Sequence, residues 1–211
     1  MSKKCKKLIV WSGGLDSTLL LHTLAKESSK ENPVEAFSFD VYFVEKLKTV
    51  KEKEARENYL KFAKTLGFYI NHHIIKVKAD INPAPCWPQQ KSWFTFILPY
   101  ISKDCDVYFG YVQGDCIWLA VDNFYKVFAD YQYLGDFANS KLIFPFSFKE
   151  KWEVLKEFQE EEIPGNCFWT CEHPKKDKRG KIIACTKCHP CIHIEMARQE
   201  LCYRKEHKCL K

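Results

Sequence analysis

The sequence contains no long hydrophobic run: none of its apolar stretches approaches the roughly 18 residues that a membrane-spanning helix requires. The apolar stretch behind the first lysines is also too short for the hydrophobic core of a secretory signal. There is no internal repeat. With 46% hydrophobic and 28% charged residues in a chain of 211, the composition is that of a folded globular protein rather than a disordered or fibrous one. We expect a cytoplasmic protein that makes no membrane contact.

The cysteines do not form the pattern of a disulfide framework. Their number, 11, is odd, and five of them lie within residues 167–191. Crowding of this kind indicates a reducing compartment with one metal site.

The first four fifths of the chain have no net charge. Residues 1–170 contain 22 Lys/Arg and 22 Asp/Glu, whereas residues 171–211 contain 11 Lys/Arg against 5 Asp/Glu, which accounts for the whole excess of +6. This basic C-terminal segment is either a solvated tail or an electrostatic contact for a nucleic acid or another anion.

Short apolar runs alternate with helical stretches along residues 1–165. This alternation predicts an α/β fold with a parallel five-stranded sheet and helices on both faces. Ser147 and Glu150 have capping-box spacing, which predicts a helix from Ser147 to about Glu162. We expect an α/β domain over residues 1–165 and a cysteine-rich lobe with a C-terminal helix over residues 166–211. The predicted strands cover residues 8–11, 34–39, 71–77, 106–111 and 141–146, and further helices cover residues 49–66, 93–101 and 191–201.

The sequence SGGLDS at residues 12–17 separates the first strand from the first helix. It lacks the Gly-Lys-Ser/Thr triplet of a Walker A motif and the spacing of a GxGxxG dinucleotide fingerprint. Gly13 and Gly14 permit a tight turn that presents backbone N–H groups, and a helix that starts near Asp16 adds the positive end of its dipole. The hydroxyls of Ser12 and Ser17 can donate hydrogen bonds. The motif therefore predicts a phosphate-binding loop.

Three cysteines in the sequence CTKCHPC, at residues 185–191, have the spacing of metal ligands. A Cys-x-x-Cys turn places two thiolates on one edge of a tetrahedron, and the overlapping turn adds a third corner. Cys171 is the natural fourth ligand, Cys167 and His173 are the alternatives, and we expect His189 to point outward. Structural Zn²⁺ is the leading assignment and a [4Fe–4S] cluster is the rival. The predicted zinc ligands are Cys171, Cys185, Cys188 and Cys191.

The SGGxDS motif after a first strand resembles the pyrophosphate loop of the PP-loop ATP pyrophosphatases. The resemblance implies an adenine-nucleotide-hydrolase-like fold and an enzyme that uses ATP and Mg²⁺ to transfer AMP, with release of pyrophosphate. It places Asp16 near the magnesium and Asp40, at the end of the second strand, near the adenosine. The residues it implies for ATP binding are Trp11, Ser12, Gly13, Gly14, Leu15, Asp16, Ser17, Thr18 and Asp40.

A PP-loop domain followed by Cys…CxxCxxC resembles the 7-cyano-7-deazaguanine synthase family over nearly the whole chain. The resembling segments are SGGLDS, SFD at residues 38–40, LG at 66–67, FGY at 109–111 and TC at 170–171. The resemblance implies an ATP-dependent C–N ligase that converts 7-carboxy-7-deazaguanine and ammonia to the amide and then the nitrile, as in queuosine-type biosynthesis, phage DNA modification or defence. It also implies a homodimer, and it matches Lys151 to a family lysine at a helix start; Asp16 and Lys151 are the catalytic candidates.

The chain departs from this family after Asp40, where VYFVEK stands in place of Tyr-Gly-Gln. It departs again where CWPQQKSW at residues 86–93 replaces a Pro-Gly-Arg-Asn segment near the substrate. Two other hypotheses therefore stay open: a tRNA-modifying thiolase or amidotransferase, and a nucleotide-binding zinc subunit without turnover of its own. For His72, His73 and the aromatic residues 118–137 we expect structural roles. Cys86, Cys105 and Cys116 are expected to be mostly buried apolar residues, with sulfur transfer as the alternative.

Overall fold

Five parallel strands form the central sheet. The computed structural model describes residues 6–41, 46–77, 89–102, 104–134 and 139–206. The spatial order of the strands is β3-β2-β1-β4-β5, and every neighbouring pair is parallel. This confirms the fold predicted from the alternating pattern. The strands are β1 (Lys6–Val10), β2 (Val34–Val41), β3 (Ile70–Val77), β4 (Cys105–Tyr108) and β5 (Lys141–Ile143).

Helices cover both faces of the sheet because alternate residues of β1 enter two separate hydrophobic clusters. Ile9 belongs to the cluster that also contains residues of α1, α2, α5 and α6, whereas Leu8 and Val10 belong to the cluster beneath α3 and α4. The helices are α1 (Leu15–Ala25), α2 (Lys46–Thr65), α3 (Gln89–Ile97), α4 (Val121–Leu134), α5 (Lys151–Glu160) and α6 (His189–Glu206). In the part of the chain that the structure describes, no helix combines the length and the apolarity needed to cross a membrane.

The strand order reverses between β1 and β4. The chain leaves β1 toward β2 and β3 and then returns past β1 to build β4 and β5 on the other side. Loops that follow the carboxyl ends of β1 and β4 therefore diverge, and a crevice opens between them. The glycine loop at residues 12–17 lies at this position.

The C-terminal helix is packed into the main core. Ile194, Ala197 and Leu201 of α6 are buried in the same hydrophobic cluster as Ile9 of β1 and Leu20 of α1. The cysteine-rich segment in front of α6 contains a short antiparallel hairpin of β6 (Lys175–Lys176) and β7 (Ile182–Ile183), with a turn between them in which the amide of Gly180 donates to the carbonyl of Asp177 at 3.0 Å. The domain boundary at residue 165 stays a prediction.

The predicted capping box of α5 is wrong by three residues. The helix starts at Lys151, and the reciprocal bonds join Glu150 and Glu153. Ser147 lies in a preceding turn, where its amide donates to the carbonyl of Phe144 at 3.2 Å. Burial of Phe146 holds this turn against the core and delays the helix. The predicted helix over residues 93–101 is instead α3 followed by the 3₁₀ turn Leu98–Tyr100, because Pro99 has no N–H to continue an α-helix.

Candidate functional site

The glycine loop is held in a conformation that only small residues permit. Gly13 has φ +87°, and a Cβ there would stand 3.0 Å from Cγ of Arg56 and 3.1 Å from the carbonyl oxygen of Glu52. Gly14 is extended and forms the N-cap of α1, with no side chain capping the helix. The two glycines therefore allow the loop to press against α2 and leave the N-terminus of α1 open.

Backbone and hydroxyl donors converge on this open helix end. The first amide bonded within the helix is that of Thr18, which donates to the carbonyl of Gly14 at 3.0 Å. The amides of the preceding turn have no partner within the helix, and the helix dipole adds positive potential to them. The hydroxyls of Ser12 and Ser17 lie 3.0 Å apart beside them. This arrangement suits a phosphate group.

The two predicted catalytic residues meet at the end of the loop. The ammonium of Lys151, the first residue of α5, pairs with Oδ2 of Asp16. The other carboxylate oxygen of Asp16 is buried and has no hydrogen-bond partner. A buried carboxylate oxygen without a donor is costly in a protein interior, and a divalent cation is a natural partner for it. The site therefore fits Mg²⁺, with Asp16 as a ligand.

A cavity of about 230 Å³ opens over the loop between the carboxyl ends of β1 and β4. Its walls include the loop, the end of β4, Lys151 and the cysteine-rich segment. Aromatic side chains form part of these walls. The lining residues include Ser12, Gly14, Leu15, Asp16, Ser17, Glu52, Trp93, Phe109, Gly110, Tyr111, Asp115, Cys116, Lys151, Trp169, Glu172, His189 and His193.

Four of the residues expected to bind ATP support the loop from behind instead of lining the cavity. Trp11 is buried, and its Nε1 donates to Oγ1 of Thr18 at 3.0 Å. Gly13 faces α2. Asp40 accepts a bond of 2.6 Å from Nη2 of Arg56, whose other terminal nitrogen donates to the carbonyl oxygen of Ser12 at 3.2 Å. Arg56 could not be recognised from the sequence because a single arginine in a charged helix forms no motif.

Two acidic residues that no motif indicated also face the cavity. Asp115 lies beyond the end of β4, and burial, together with the nearby charge of Asp16, raises its pKa against the opposing hydrogen bond from the amide of Val112. Burial likewise raises the pKa of Glu52 on α2, which is partly offset by Lys48 at 3.7 Å. A cation or a phosphate-containing ligand in the cavity would therefore change the protonation of both carboxylates. The position of Asp115 after a parallel strand is the signal that could have found it.

Gly110 is a further residue on which the cavity depends. A Cβ at this position would lie 3.0 Å from both Cα and N of Ser17 and 3.1 Å from the carbonyl carbon of Asp16. These are backbone atoms that cannot rotate away. The glycine at the end of β4 thus allows this strand to approach the first turn of α1.

The four predicted zinc ligands form one cluster. The Sγ atoms of Cys171, Cys185, Cys188 and Cys191 all lie within 4.8 Å of one another, and those of Cys171 and Cys188 are 4.0 Å apart. Backbone amides approach the sulfurs, as they do around metal-bound thiolates: the amide of Cys185 donates to Sγ of Cys171 at 3.2 Å. Neither of the alternative ligands, Cys167 and His173, belongs to the cluster among the residues that the structure describes.

Burial raises the pKa of the Cys171 thiol, and it raises that of Cys191 as well. At Cys185, by contrast, hydrogen bonds led by the amide of Lys187 lower the pKa to about 6. Four neighbouring thiols can all ionise only when a cation balances their charge. The donor set is therefore that of a metal site.

The cysteine-rich segment is joined directly to the glycine loop. The amide of Trp169 donates to the carbonyl oxygen of Gly13 at 2.9 Å, and the ammonium of Lys51 lies 5.3 Å from the centre of the Trp169 ring. At the other end of the segment, His189 is exposed, as expected, and borders the cavity. Its ring lies 3.8 Å, centroid to centroid, from that of His193. The cysteine cluster thus lies between two segments that border the cavity.

The two neighbouring histidines of β3, the scattered cysteines and the aromatic residues 118–137 lie in different environments. His72 is half-buried and 2.9 Å from Oγ of Ser38, whereas His73 is exposed and pairs with Glu35 at 2.6 Å. Cys105 is buried, and Cys116 is exposed on the cavity wall. Cys86 and most of CWPQQKSW lie outside the described residues. Of the aromatic residues, Phe124 and Phe128 are core, Trp118 and Tyr131 pack against it, Tyr125 and Tyr133 are exposed, and Phe137 is outside the described part.

A comparison with a solved structure agrees with this parallel α/β fold. The chain is similar to the U34-tRNA thiolase NcsA of Methanococcus maripaludis, which carries a [4Fe–4S] cluster: the identity is 15%, the TM-score is 0.50, and the match covers 97% of this chain and 68% of that one. This likeness shows the fold.

Two further solved structures match with lower TM-scores. The NMN synthetase of Francisella tularensis has 14% identity and a TM-score of 0.37, and covers 80% of this chain and 66% of its own. A predicted tRNA methyltransferase subunit of Methanocaldococcus jannaschii has 15% identity and a TM-score of 0.42, and covers 92% and 88%. No family model and no curated protein sequence matches this chain.

Proposed function

We propose that this chain is an ATP-dependent ligase that transfers AMP to an acceptor and releases pyrophosphate. The observation that carries the proposal is the glycine loop with its uncapped helix end and with the Asp16–Lys151 pair beside it, all bordering one cavity. Amide donors, hydroxyl donors and an ammonium thus border the position where the charge of a nucleotide would lie. Such fixed donors stabilise the charge that develops when the bond between the α- and β-phosphates breaks.

Each group of the site has a distinct part in this reaction. The first-turn amides of α1 and the hydroxyls of Ser12 and Ser17 would bind the pyrophosphate oxygens. Lys151 would hold the charge of the α-phosphate during transfer. Asp16, with Asp115 beside it, would hold Mg²⁺, which when bound neutralises the leaving pyrophosphate.

The acceptor that we propose is the carboxylate of 7-carboxy-7-deazaguanine. Support comes from the family resemblance of the motifs and from the aromatic cavity walls, where Trp93, Phe109, Tyr111 and Trp169 can contact a planar base. The carboxylate oxygen would attack the α-phosphorus, which gives an acyl adenylate and pyrophosphate. Ammonia would then displace AMP to form the amide. A second ATP would adenylate the amide oxygen, and loss of AMP with two protons would leave the nitrile.

The metal that we propose is one structural Zn²⁺. Zinc–sulfur bonds of about 2.3 Å place tetrahedral thiolates about 3.8 Å apart, close to the spacing of the four sulfurs here. A cluster of four irons and four sulfides between the cysteines requires the sulfurs to stand farther apart. Four thiolates also leave no position for water or substrate, so we assign this zinc no catalytic step.

Cys116 favours a second candidate, a tRNA-modifying thiolase. Its side chain is exposed on the cavity wall, next in sequence to Asp115. A sulfane-sulfur donor could convert this thiol to a persulfide, whose outer sulfur would attack the adenylated acceptor and displace AMP. An external thiol would then reduce the disulfide between Cys116 and the acceptor and leave the sulfur on the acceptor. The adenylation step would be the same in both candidates.

Mass spectrometry of one incubation tests the proposal. The zinc-loaded protein is mixed with Mg²⁺, ATP, ammonia and 7-carboxy-7-deazaguanine, and the D16N variant serves as control. We expect AMP, pyrophosphate and the amide or nitrile from the native chain, and none from D16N. A parallel reaction with tRNA and a sulfur donor reports thiolation and would support the second candidate. ADP as the sole nucleotide product excludes adenylation, and ATP binding without any product indicates a subunit without its own turnover.

A further inference from the structure

The hairpin between Cys171 and Cys185, together with the turn that follows it, carries a dense set of cations. We call residues 175–187 the basic hairpin. Its six basic side chains are all exposed, and its one acidic residue is Asp177. The six are Lys175, Lys176, Lys178, Arg179, Lys181 and Lys187.

None of these cations has an acidic partner among the described residues, whereas eight other described lysines do. Elsewhere, lysines form ion pairs: Lys7 with Glu27 at 2.5 Å and Lys26 with Glu161 at 2.5 Å are two of eight such cases. Among the described residues, no carboxylate lies within ion-pair distance of any of the six. Their charge is therefore not balanced by neighbouring side chains.

The hairpin is also a preorganised structure. Oδ1 of Asp177 accepts hydrogen bonds from the backbone amides of Arg179 at 2.8 Å and Lys181 at 2.9 Å. The only carboxylate of the hairpin therefore stabilises its turn. Gly180 has φ +78°, which the turn requires. Both ends of the hairpin run into cysteines of the metal cluster. A rigid carrier of charge loses little conformational entropy when it binds a partner.

The position and the surface chemistry of the hairpin select the class of partner. It begins three residues after Glu172, which borders the cavity. Its two isoleucines, Ile182 and Ile183, are half-buried, so it offers no exposed apolar side chain for insertion into a bilayer. Six cations spread over a hairpin match a chain of phosphates better than one small anion. We infer that the basic hairpin binds the phosphate backbone of a nucleic acid at the rim of the cavity.

Fluorescence anisotropy of the full, zinc-loaded chain with labelled tRNA and with a labelled DNA duplex tests this inference. Binding to at least one probe should weaken steeply with salt, because each phosphate contact to duplex DNA adds about 0.9 to the slope of log K against log salt. The K178E/R179E variant should lower affinity at least tenfold and reduce that slope by about two. Anionic phosphatidylserine vesicles form a further arm, in which we expect no binding.

The matched control is K61E/K64E, which makes the same charge change at two exposed lysines in the last turns of α2. It should retain most of the affinity. Equal losses in the two variants, absence of salt-dependent binding to both probes, or binding to vesicles alone would overturn the inference. The measurement needs neither ATP nor an acceptor, so it stands apart from the test of the proposed function. Unchanged ATP turnover in K178E/R179E shows that the site itself is intact.

Discussion

Lys151 forms an ion pair with Asp16 although 135 positions of sequence separate them. One residue begins α5 and the other lies in the first turn of α1, so the pair joins the two helices that meet at the carboxyl ends of β1 and β4. The pair places an ammonium beside the uncapped end of α1. Because Asp16 retains a second, unpartnered oxygen, it can keep Lys151 and still bind a cation.

Lys151→Met should lower kcat for pyrophosphate release about a hundredfold, the usual effect of removing one fixed donor from a charged transition state. The fold should persist, since both side chains of the pair are partly exposed. Steady-state assays of pyrophosphate measure the effect. Lys156→Met, which removes an exposed lysine of the same helix that pairs with Glu160 at 3.4 Å, is the control and should leave kcat unchanged. Equal kcat in the two variants would remove Lys151 from the catalytic residues.

Gly110→Ala should weaken ATP binding by about tenfold or more, because the added Cβ would contact backbone atoms of Ser17 and Asp16 and displace the first turn of α1. Gly165→Ala is the matched control: nothing lies within 4 Å of a Cβ there. Isothermal titration calorimetry with a non-hydrolysable ATP analogue compares the two. Native affinity in Gly110→Ala would show that the loop tolerates displacement and does not position the nucleotide.

Arg56→Met should destabilise the fold by about 3 kcal/mol, because it leaves Asp40 without its partner in a largely buried position. The double variant Arg56→Met with Asp40→Asn should recover part of the loss, since it removes the uncompensated charge. Urea denaturation gives the free energy of unfolding for each. If Asp40→Asn gives no recovery, then packing of Arg56 against Gly13, rather than its charge, holds the loop.

Much of the fold was predictable because its signals are local. The apolar run of β1, the two glycines and the helix after them lie next to one another, and CTKCHPC contains three of the four clustered cysteines. Cys171, the fourth, is indicated only by being a cysteine and by its position 14 residues before Cys185. These short-range patterns can be recognised because the geometry of strands, helices and Cys-x-x-Cys turns is the same in every protein.

The support behind the loop could not be predicted because it depends on tertiary contacts. Arg56 reaches Asp40 only after α2 packs over the sheet, and the approach of Gly110 to Ser17 exists only once β4 lies beside β1. The same holds for Asp40, whose bond to Arg56 the motif did not reveal. Contacts between residues that are far apart in the sequence produce no recognisable spacing pattern along the chain.

Acid should destabilise the protein through His72. Burial, followed by the charges of Arg56 and His73, lowers its pKa to about 4, whereas an unfolded histidine titrates near 6.5. The unfolded state therefore binds more protons between these values, and this contribution to stability is complete above about pH 6.5 and is lost as the pH falls toward 4. His72→Gln should flatten the dependence of Tm on pH in that window. His73→Gln, at the exposed neighbouring position, removes only one of the smaller causes of the low pKa and should flatten the dependence less; equal slopes in both variants would contradict the assignment.

Removal of the metal should cost both stability and ATP affinity. Apparent binding free energies of about 10 kcal/mol for structural zinc are as large as the stability of a domain, so Cys188→Ser should lower Tm markedly. Because Trp169 bonds to Gly13 and His189 borders the cavity, loosening of the cysteine cluster should also displace the loop and raise KM for ATP. Cys202→Ser is the control, since this exposed cysteine of α6 lies outside the cluster.

Elemental analysis should give about one zinc per native chain and little iron. A brown protein with iron in the cluster would assign the cysteines to an iron–sulfur centre instead, and native KM in Cys188→Ser would separate the metal site from the nucleotide loop.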